Sequence, residues 1–150
     1  MRKAAVAIGV SLLVGCGGGE SAGGADGAAA FVGTYATNGT TSWSDCPAPP
    51  APLSGPGVLT IALGPAGVTT TLNGCTLDWA VSGSVLSLVP GQSCSGTTTD
   101  ASFVATWTGG SAIFTGDVAA LSGVGGSELF STAGGTETCL FTETGTWTKS

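Results

Sequence analysis

Short runs of alternating polar and apolar residues, separated by glycine-containing turn signals, make up most of this chain. The clearest example is Asn73-Gly74, which lies between two such runs. Asn-Gly favours a two-residue hairpin turn because both residues tolerate positive φ angles. The turn should therefore pair Leu72 with Cys75 on neighbouring strands. The expected pairs further along are Thr70 with Leu77 and Val68 with Trp79.

Four more turn signals predict hairpins of the same kind. They are Asn38-Gly39, residues 64–67, Ser82-Gly83 and Gly109-Gly110. A two-residue loop at Ser82-Gly83 would place Trp79 opposite Leu86. A chain reversal at Asn38-Gly39 would turn Trp43 to the face opposite Tyr35, and Trp43 is then a candidate exposed contact residue.

The last predicted strand, residues 136–148, alternates most regularly. Its even positions are nearly all threonine, whereas its odd positions include Cys139, Phe141, Glu143 and Trp147. Threonine suits a solvated strand face, so the odd positions are expected to point inward. The remaining acidic residues are expected singly, near turns and at outward positions.

Together the runs predict an all-β fold, an antiparallel up-and-down meander of about eight to ten short strands. Such a meander closes into a small barrel or packs as a two-sheet sandwich. Gly33-Thr34-Tyr35 is similar to the Gly-x-Trp start of lipocalin-like barrels, with tyrosine in place of tryptophan. In a closed barrel, Gly145-Thr146-Trp147 would lie beside it. This resemblance implies a fold and carries no function.

Four of the five cysteines belong to the predicted β domain: Cys46, Cys75, Cys94 and Cys139. An even number in a small exported domain predicts two disulfides, for which three pairings are possible. Cys75 and Cys94 bracket one hairpin, which would leave Cys46 to join Cys139 and tie the first hairpin to the last strand. The Cys-x₂-Cys spacing of zinc sites is missing, so no metal site is predicted.

The fifth cysteine, Cys16, ends an N-terminal targeting segment. Arg2 and Lys3 precede an apolar stretch at residues 4–14, which is too short to span a membrane as a helix. The stretch runs into Leu13-Val14-Gly15-Cys16, which resembles the lipobox of bacterial lipoproteins. The resemblance implies cleavage by signal peptidase II before Cys16 and acylation of Cys16. Two or three acyl chains make a stable membrane anchor.

The chain is thus expected to divide into three parts. Residues 1–15 form the signal peptide, residues 16–30 the lipidated cysteine with a flexible Gly/Ala tether, and residues 31–150 the disulfide-bonded β domain. Gly17 after the lipidated cysteine is similar to lipoproteins that are sorted to the outer membrane. The predicted location is the bacterial cell envelope, with the lipid anchor at Cys16 as the contact with the membrane.

Charge and composition exclude several functions. Removal of the signal peptide leaves one lysine against nine acidic residues, which argues against nucleic acid as a partner. Histidine is absent, and no motif pairs a nucleophile with a base, so no catalytic residue is predicted. No cofactor is expected either.

The remaining candidates are ligand-binding residues: Trp43, Trp79, Trp107, Glu143 and Trp147. Inward tryptophans are able to line an apolar pocket, and Glu143 shares the inward parity of Phe141 and Trp147. The leading hypothesis is a non-enzymatic domain that binds a small apolar ligand or an envelope partner. The alternatives are a structural surface lipoprotein without a ligand and, with less support, an envelope hydrolase.

Replacing Cys16 by alanine tests the anchor. The native chain should be extracted with the membrane fraction, and its intact mass should correspond to a chain that begins at Cys16 and carries acyl groups. The Cys16→Ala chain should lose those acyl groups, because the acceptor thiol is missing. A native chain without acyl groups would contradict the lipoprotein interpretation.

Overall fold

The computed structural model describes residues 25–97, 99 and 101–150, which form one short helix and nine antiparallel strands. The helix α1 spans Ala25–Ala29. The strands are β1 (Gly33–Ser44), β2 (Leu53–Gly64), β3 (Gly67–Leu72), β4 (Cys75–Ser82), β5 (Val85–Leu88), β6 (Ser93–Thr97), β7 (Ala101–Thr115), β8 (Val118–Thr132) and β9 (Gly135–Lys149). The predicted all-β antiparallel fold is confirmed.

Eight of these strands close into a barrel. Consecutive strands pair from β1 to β5 and from β7 to β9, and β1 also pairs with β9. The barrel closes where β5 pairs with β7, a junction that we call the seam. The first half of β7 pairs instead with β6, which is an extra strand outside the eight-stranded ring. The prediction of a small barrel is confirmed.

The hairpin at Asn73-Gly74 has the expected register. Asn73 and Gly74 have φ angles of 51° and 82°, as a turn of this type requires. Leu72 lies opposite Cys75, Thr70 opposite Leu77, and Val68 opposite Trp79. The hairpin between β2 and β3 is also confirmed, since Gly64 pairs with Gly67.

The predicted register at Ser82-Gly83 is wrong by two residues. The turn residues are Gly83 and Ser84, so Trp79 lies opposite Leu88 rather than Leu86. The loop falls one residue later because Gly83, with a φ angle of 56°, takes the first turn position instead of the second. A two-residue shift keeps side chains on the same face, and Trp79 and Leu86 are both buried as expected.

Two predicted hairpins are absent, because β1 and β7 continue through the glycines that suggested them. Gly39 lies between Gly55 on β2 and Gly145 on β9, and a Cβ atom on Gly39 would lie 2.8 Å from the carbonyl oxygen of Thr144. Glycine is needed here for close approach of strands rather than for a turn. Gly109-Gly110 forms an irregularity within β7, with register shifts on both sides.

The continuity of β1 also overturns the prediction for Trp43. Without a reversal at Asn38-Gly39, Trp43 keeps the parity of Tyr35 and points inward. Its ring packs against the edge of the core and contacts Phe130 at 6.3 Å between ring centroids. Trp43 is therefore half-buried and not an exposed contact residue.

One end of the barrel is closed by the segment that precedes β1. Ala28 of α1 is 2% exposed, and Phe31 packs on Phe114 with their ring centroids 4.8 Å apart. The hydroxyl of Tyr35 donates a hydrogen bond to the carbonyl of Phe31 at 2.8 Å. The folded part thus begins at least as early as α1, within the residues expected to form the tether.

Two disulfides join Cys46 to Cys139 and Cys75 to Cys94, the pairing that the sequence favoured among three. The second bridge links the start of β4 to β6, close to the seam. Gln92, just before β6, reinforces the same region. Its side-chain amide accepts a hydrogen bond from the backbone N–H of Asp78 and donates one to the backbone carbonyl of Asp78. The backbone carbonyl of Gln92 accepts a hydrogen bond from the backbone N–H of Trp107 at 2.9 Å.

Gly126 on β8 provides a test of strand packing. A Cβ atom there would overlap the carbonyl of Thr106 and lie 2.8 Å from the Cα of Trp107, so we expect Gly126→Ala to lower the free energy of unfolding by about 1–3 kcal/mol. Chemical denaturation measures the change. Gly55→Ala is the control, because a Cβ atom at Gly55 has no neighbour within 4 Å. Equal effects of the two substitutions would contradict the packing argument.

Candidate functional site

The barrel encloses a cavity of about 110 Å³, which we call the inner chamber. Its wall is mostly apolar and aromatic, with one carboxylate and one hydroxyl. The lining residues are Leu59, Thr70, Leu72, Cys75, Leu77, Trp79, Trp107, Val124, Glu143 and Trp147. An apolar cavity of about 150 Å³ is able to hold a benzene ring, so the inner chamber has room for a group somewhat smaller than that.

A second cavity of about 300 Å³, the outer groove, adjoins the inner chamber and is lined in part by exposed residues of β2. It lies among residues 37–41 of β1, 53–57 of β2 and 143–147 of β9. Leu72, Glu143 and Trp147 line both cavities. A ligand larger than the inner chamber would have to extend past these three residues into the outer groove.

A glycine lies opposite two aromatic residues, one of which lines the inner chamber. Gly126 on β8 lies opposite Trp107 on β7 and Phe141 on β9. The rings of Trp107 and Phe141 meet edge to face, with their centroids 5.5 Å apart. Trp79 and Trp147 form a second edge-to-face pair, also at 5.5 Å. Such pairs fix the ring orientations, so the aromatic wall is rigid.

Two of the three indole N–H groups of this wall, those of Trp79 and Trp107, differ in their hydrogen bonding. Trp79 Nε1 donates to the hydroxyl of Thr70 at 2.9 Å. Trp107 is only 7% exposed, and its buried Nε1 has no hydrogen-bond acceptor among the described residues. It lies near enough to Glu143 to stabilise the carboxylate, but outside hydrogen-bond geometry. A buried donor without an acceptor costs about 1–3 kcal/mol, so this group is available to a ligand.

Glu143 is the carboxylate of the inner chamber. Burial raises its pKa, the nearby Trp107 indole lowers it, and the charge of Glu128 raises it further. The net pKa is higher than usual. Lys149 is the one basic side chain in the described part of the chain, and it binds the carbonyl of Ala30 at the closed end. No described cation therefore neutralises Glu143.

Glu128 is a site residue that the sequence reasoning missed, because it was expected at an outward position. It is 7% exposed, points inward from β8 and accepts a hydrogen bond from Trp43 Nε1. Burial raises its pKa, and the bond from Trp43 opposes that shift. A sequence signal existed: Glu128 shares the strand parity of Phe130, just as Glu143 shares that of Phe141.

Four of the five predicted ligand residues meet at one place. Trp79, Trp107, Glu143 and Trp147 all line the inner chamber. Trp43 does not, since it lies with Glu128 and Phe130 at the far end of the long strands. No group of three or more potential metal-ligating side chains occurs within residues 25–97, 99 and 101–150.

Replacing Glu143 by glutamine tests the buried charge. Because burial raises the pKa of Glu143 above its value in the unfolded chain, the folded state binds more protons than the unfolded state at pH values between these two pKa values. The free energy of unfolding should therefore rise as the pH falls through this window and level off below about 4.5. Glu143→Gln should flatten this dependence and stabilise the protein at neutral pH, as measured by denaturation at several pH values.

Glu128→Gln is the matched variant, since it removes a charge that raises the pKa of Glu143 while keeping an acceptor for Trp43. It should lower the pKa of Glu143, which the NMR shift of the side-chain carboxyl carbon reports. An unchanged titration of Glu143 in this variant would contradict the coupling between the two carboxylates.

The site is thus a small aromatic chamber with a carboxylate that no described cation neutralises, a buried indole N–H on one of its lining residues, and an adjoining groove that shares three of those residues. No protein-family model matches the chain, and comparisons with curated proteins and with solved structures return no match either.

Proposed function

We propose that this chain is a lipid-anchored protein of the bacterial cell envelope whose barrel binds a small, largely apolar ligand in the inner chamber. The observation that carries the proposal is the unfilled, aromatic-lined chamber with a buried Trp107 N–H that has no described acceptor. Interiors of proteins without ligands are normally close-packed, and buried donors are normally paired.

The surroundings of the inner chamber support a ligand rather than a gap in the core. Residues beyond the chamber pack densely, and Ile61, Val68 and Leu86 are almost completely buried. The two edge-to-face aromatic pairs keep the wall from collapsing into the space. A mostly apolar wall with a few convergent polar groups is the usual composition of small-molecule sites.

The anchor part of the proposal rests on the resemblance of Leu13-Val14-Gly15-Cys16 to the lipobox. The two disulfides agree with an oxidising compartment, which the cell envelope provides. A lipidated Cys16 would hold the barrel at a membrane, and the Gly17 signal suggests the outer membrane. The membrane is then reached through the lipid and not through basic residues, since the mature chain has one lysine.

A hydrolase is the second candidate, favoured by the interaction between the charges of Glu128 and Glu143. Pairs of carboxyl groups cleave glycosidic bonds by acting as acid and base or nucleophile. However, Glu128 does not line the inner chamber and is bound to Trp43. Glu128→Gln should abolish a reaction that uses both carboxylates but leave the binding of a neutral ligand such as cyclohexanol unchanged.

Filling the inner chamber tests ligand binding. Leu72 is 37% exposed and lines both cavities, so Leu72→Trp should block access without a large loss of stability. We expect cyclohexanol, an apolar ring with one acceptor oxygen, to occupy the inner chamber in part and the adjoining outer groove with the rest of its ring, and so to raise the melting temperature of the native protein and to change its tryptophan fluorescence. Leu72→Trp should weaken this binding at least about tenfold, which corresponds to about 1.4 kcal/mol.

Leu63→Trp is the control, because Leu63 is 57% exposed, lies outside both cavities and undergoes the same change in size. It should bind cyclohexanol as the native protein does. Equal binding by native protein and Leu72→Trp would show that the probe binds elsewhere, and failure of the native protein to bind would contradict the proposed function.

A further inference from the structure

The inner chamber combines a carboxylate with an aromatic wall, a combination that has a specific chemical complement. Glu143 lines the same small space as Trp107 and Trp147. Indole rings attract cations through the negative electrostatic potential of their faces, and tryptophan does so more strongly than phenylalanine or tyrosine. A carboxylate adds direct charge attraction, which is strong where water is largely excluded.

The protein itself leaves this carboxylate without a counter-ion. Lys149, the basic residue of the described chain, lies over the ring of Tyr35 at 5.9 Å and binds Ala30 at the closed end of the barrel. The nearest charged neighbour that affects Glu143 is Glu128, which has the same sign. The partly buried carboxylate of Glu143 and the buried carboxylate of Glu128 have the same charge, and together they make the inner chamber more attractive to a cation.

The wall suits an organic cation better than a metal ion. A metal ion such as Ca²⁺ takes six to eight oxygen ligands, whereas the side chains of the inner chamber supply the carboxylate of Glu143 and the hydroxyl of Thr70, which already accepts from Trp79. The other lining residues offer aromatic and aliphatic surface. Methyl groups on an ammonium spread the charge over an apolar surface, and they would pack well against that wall.

The indole N–H of Trp107 adds a second requirement for the ligand, a hydrogen-bond acceptor. Trp107 lines the inner chamber and is more than nine-tenths buried, and its Nε1 lacks an acceptor among the described residues. A ligand that brings an uncharged oxygen next to its cationic group would supply that acceptor. The outer groove, which shares Glu143 and Trp147 with the inner chamber, has room for the rest of such a molecule.

We propose that the ligand of the inner chamber is a small organic cation, a methylated ammonium group on a short chain that carries a hydroxyl or ether oxygen. The ammonium lies between Glu143 and the indoles of the chamber, and the oxygen accepts from Trp107 Nε1. This proposal rests on the proposed function and specifies its ligand class.

A matched pair of probes isolates the charge. Choline and 3,3-dimethylbutan-1-ol have the same shape and the same hydroxyl, but only choline carries a positive charge. Calorimetric titration at pH 8 should give an affinity for choline at least about tenfold higher than for the neutral alcohol. Glu143→Gln should bring the two affinities to within about twofold by weakening choline alone, while the variant still binds cyclohexanol and so demonstrates an intact chamber.

The pH dependence gives an independent readout. Choline should lose affinity as the pH falls and Glu143 becomes protonated, whereas 3,3-dimethylbutan-1-ol should not. Glu128 is the other titratable group whose charge reaches Glu143, so the experiment is repeated with Glu128→Gln. This variant should move the loss of choline affinity to lower pH, because removal of the neighbouring charge lowers the pKa of Glu143.

The outcomes separate the two proposals. If the neutral alcohol binds as well as choline, or if cyclohexanol binds while choline does not, the cation proposal is overturned and the proposed function stands. If choline binds equally well to Glu143→Gln, the cation proposal is also overturned, because the site of the charge lies elsewhere. If native protein binds none of the three probes, both proposals fail.

Discussion

Closure of the barrel depends on three residue pairs between β5 and β7. So short a pairing would be weak alone, and two links reinforce it. The Cys75–Cys94 bridge joins β4 to β6, and Gln92 connects β4 with the backbone of Trp107 where β5 has ended. Because Cys75 and Trp107 also line the inner chamber, the interactions that close the barrel also hold the walls of the site in place.

The inner chamber has two lining residues with an unpaired polar group: Glu143 has no described counter-ion, and the indole N–H of Trp107 has no described acceptor. Gly126 lies between Trp107 and Phe141 on the neighbouring strands, the rings of these two residues meet edge to face, and Trp107 lines the chamber. Glu143 is held in this space without a described cation, which costs desolvation free energy. A ligand that neutralises this charge would recover part of that free energy, so binding and stability are coupled at one residue.

The sequence predicted the features that depend on residues close together in the chain, namely turn conformation and the alternation of side chains along a strand. The positive φ angles at Asn73-Gly74 set the turn there, and the regular alternation in β9 placed Glu143 and Trp147 on the inner face. Asn38-Gly39 carries the same dipeptide, yet it lies in mid-strand, because pairing with β2 and β9 on both sides outweighs the turn preference. The false turn led to the wrong prediction that Trp43 points outward. Glu128 was expected to point outward as well, although it shares its strand face with Phe130.

The fold also separates the two ends of the barrel by role. Residues that precede β1 pack against Phe114 and Tyr35 at the closed end, whereas the outer groove includes the first residues of β2 and the end of β3, which lie at the opposite end of the barrel. The described chain thus enters the barrel at the end remote from these groove residues. A ligand in the groove would therefore exchange without displacing the segment that covers the closed end, so loading of the site would not require that segment to unfold.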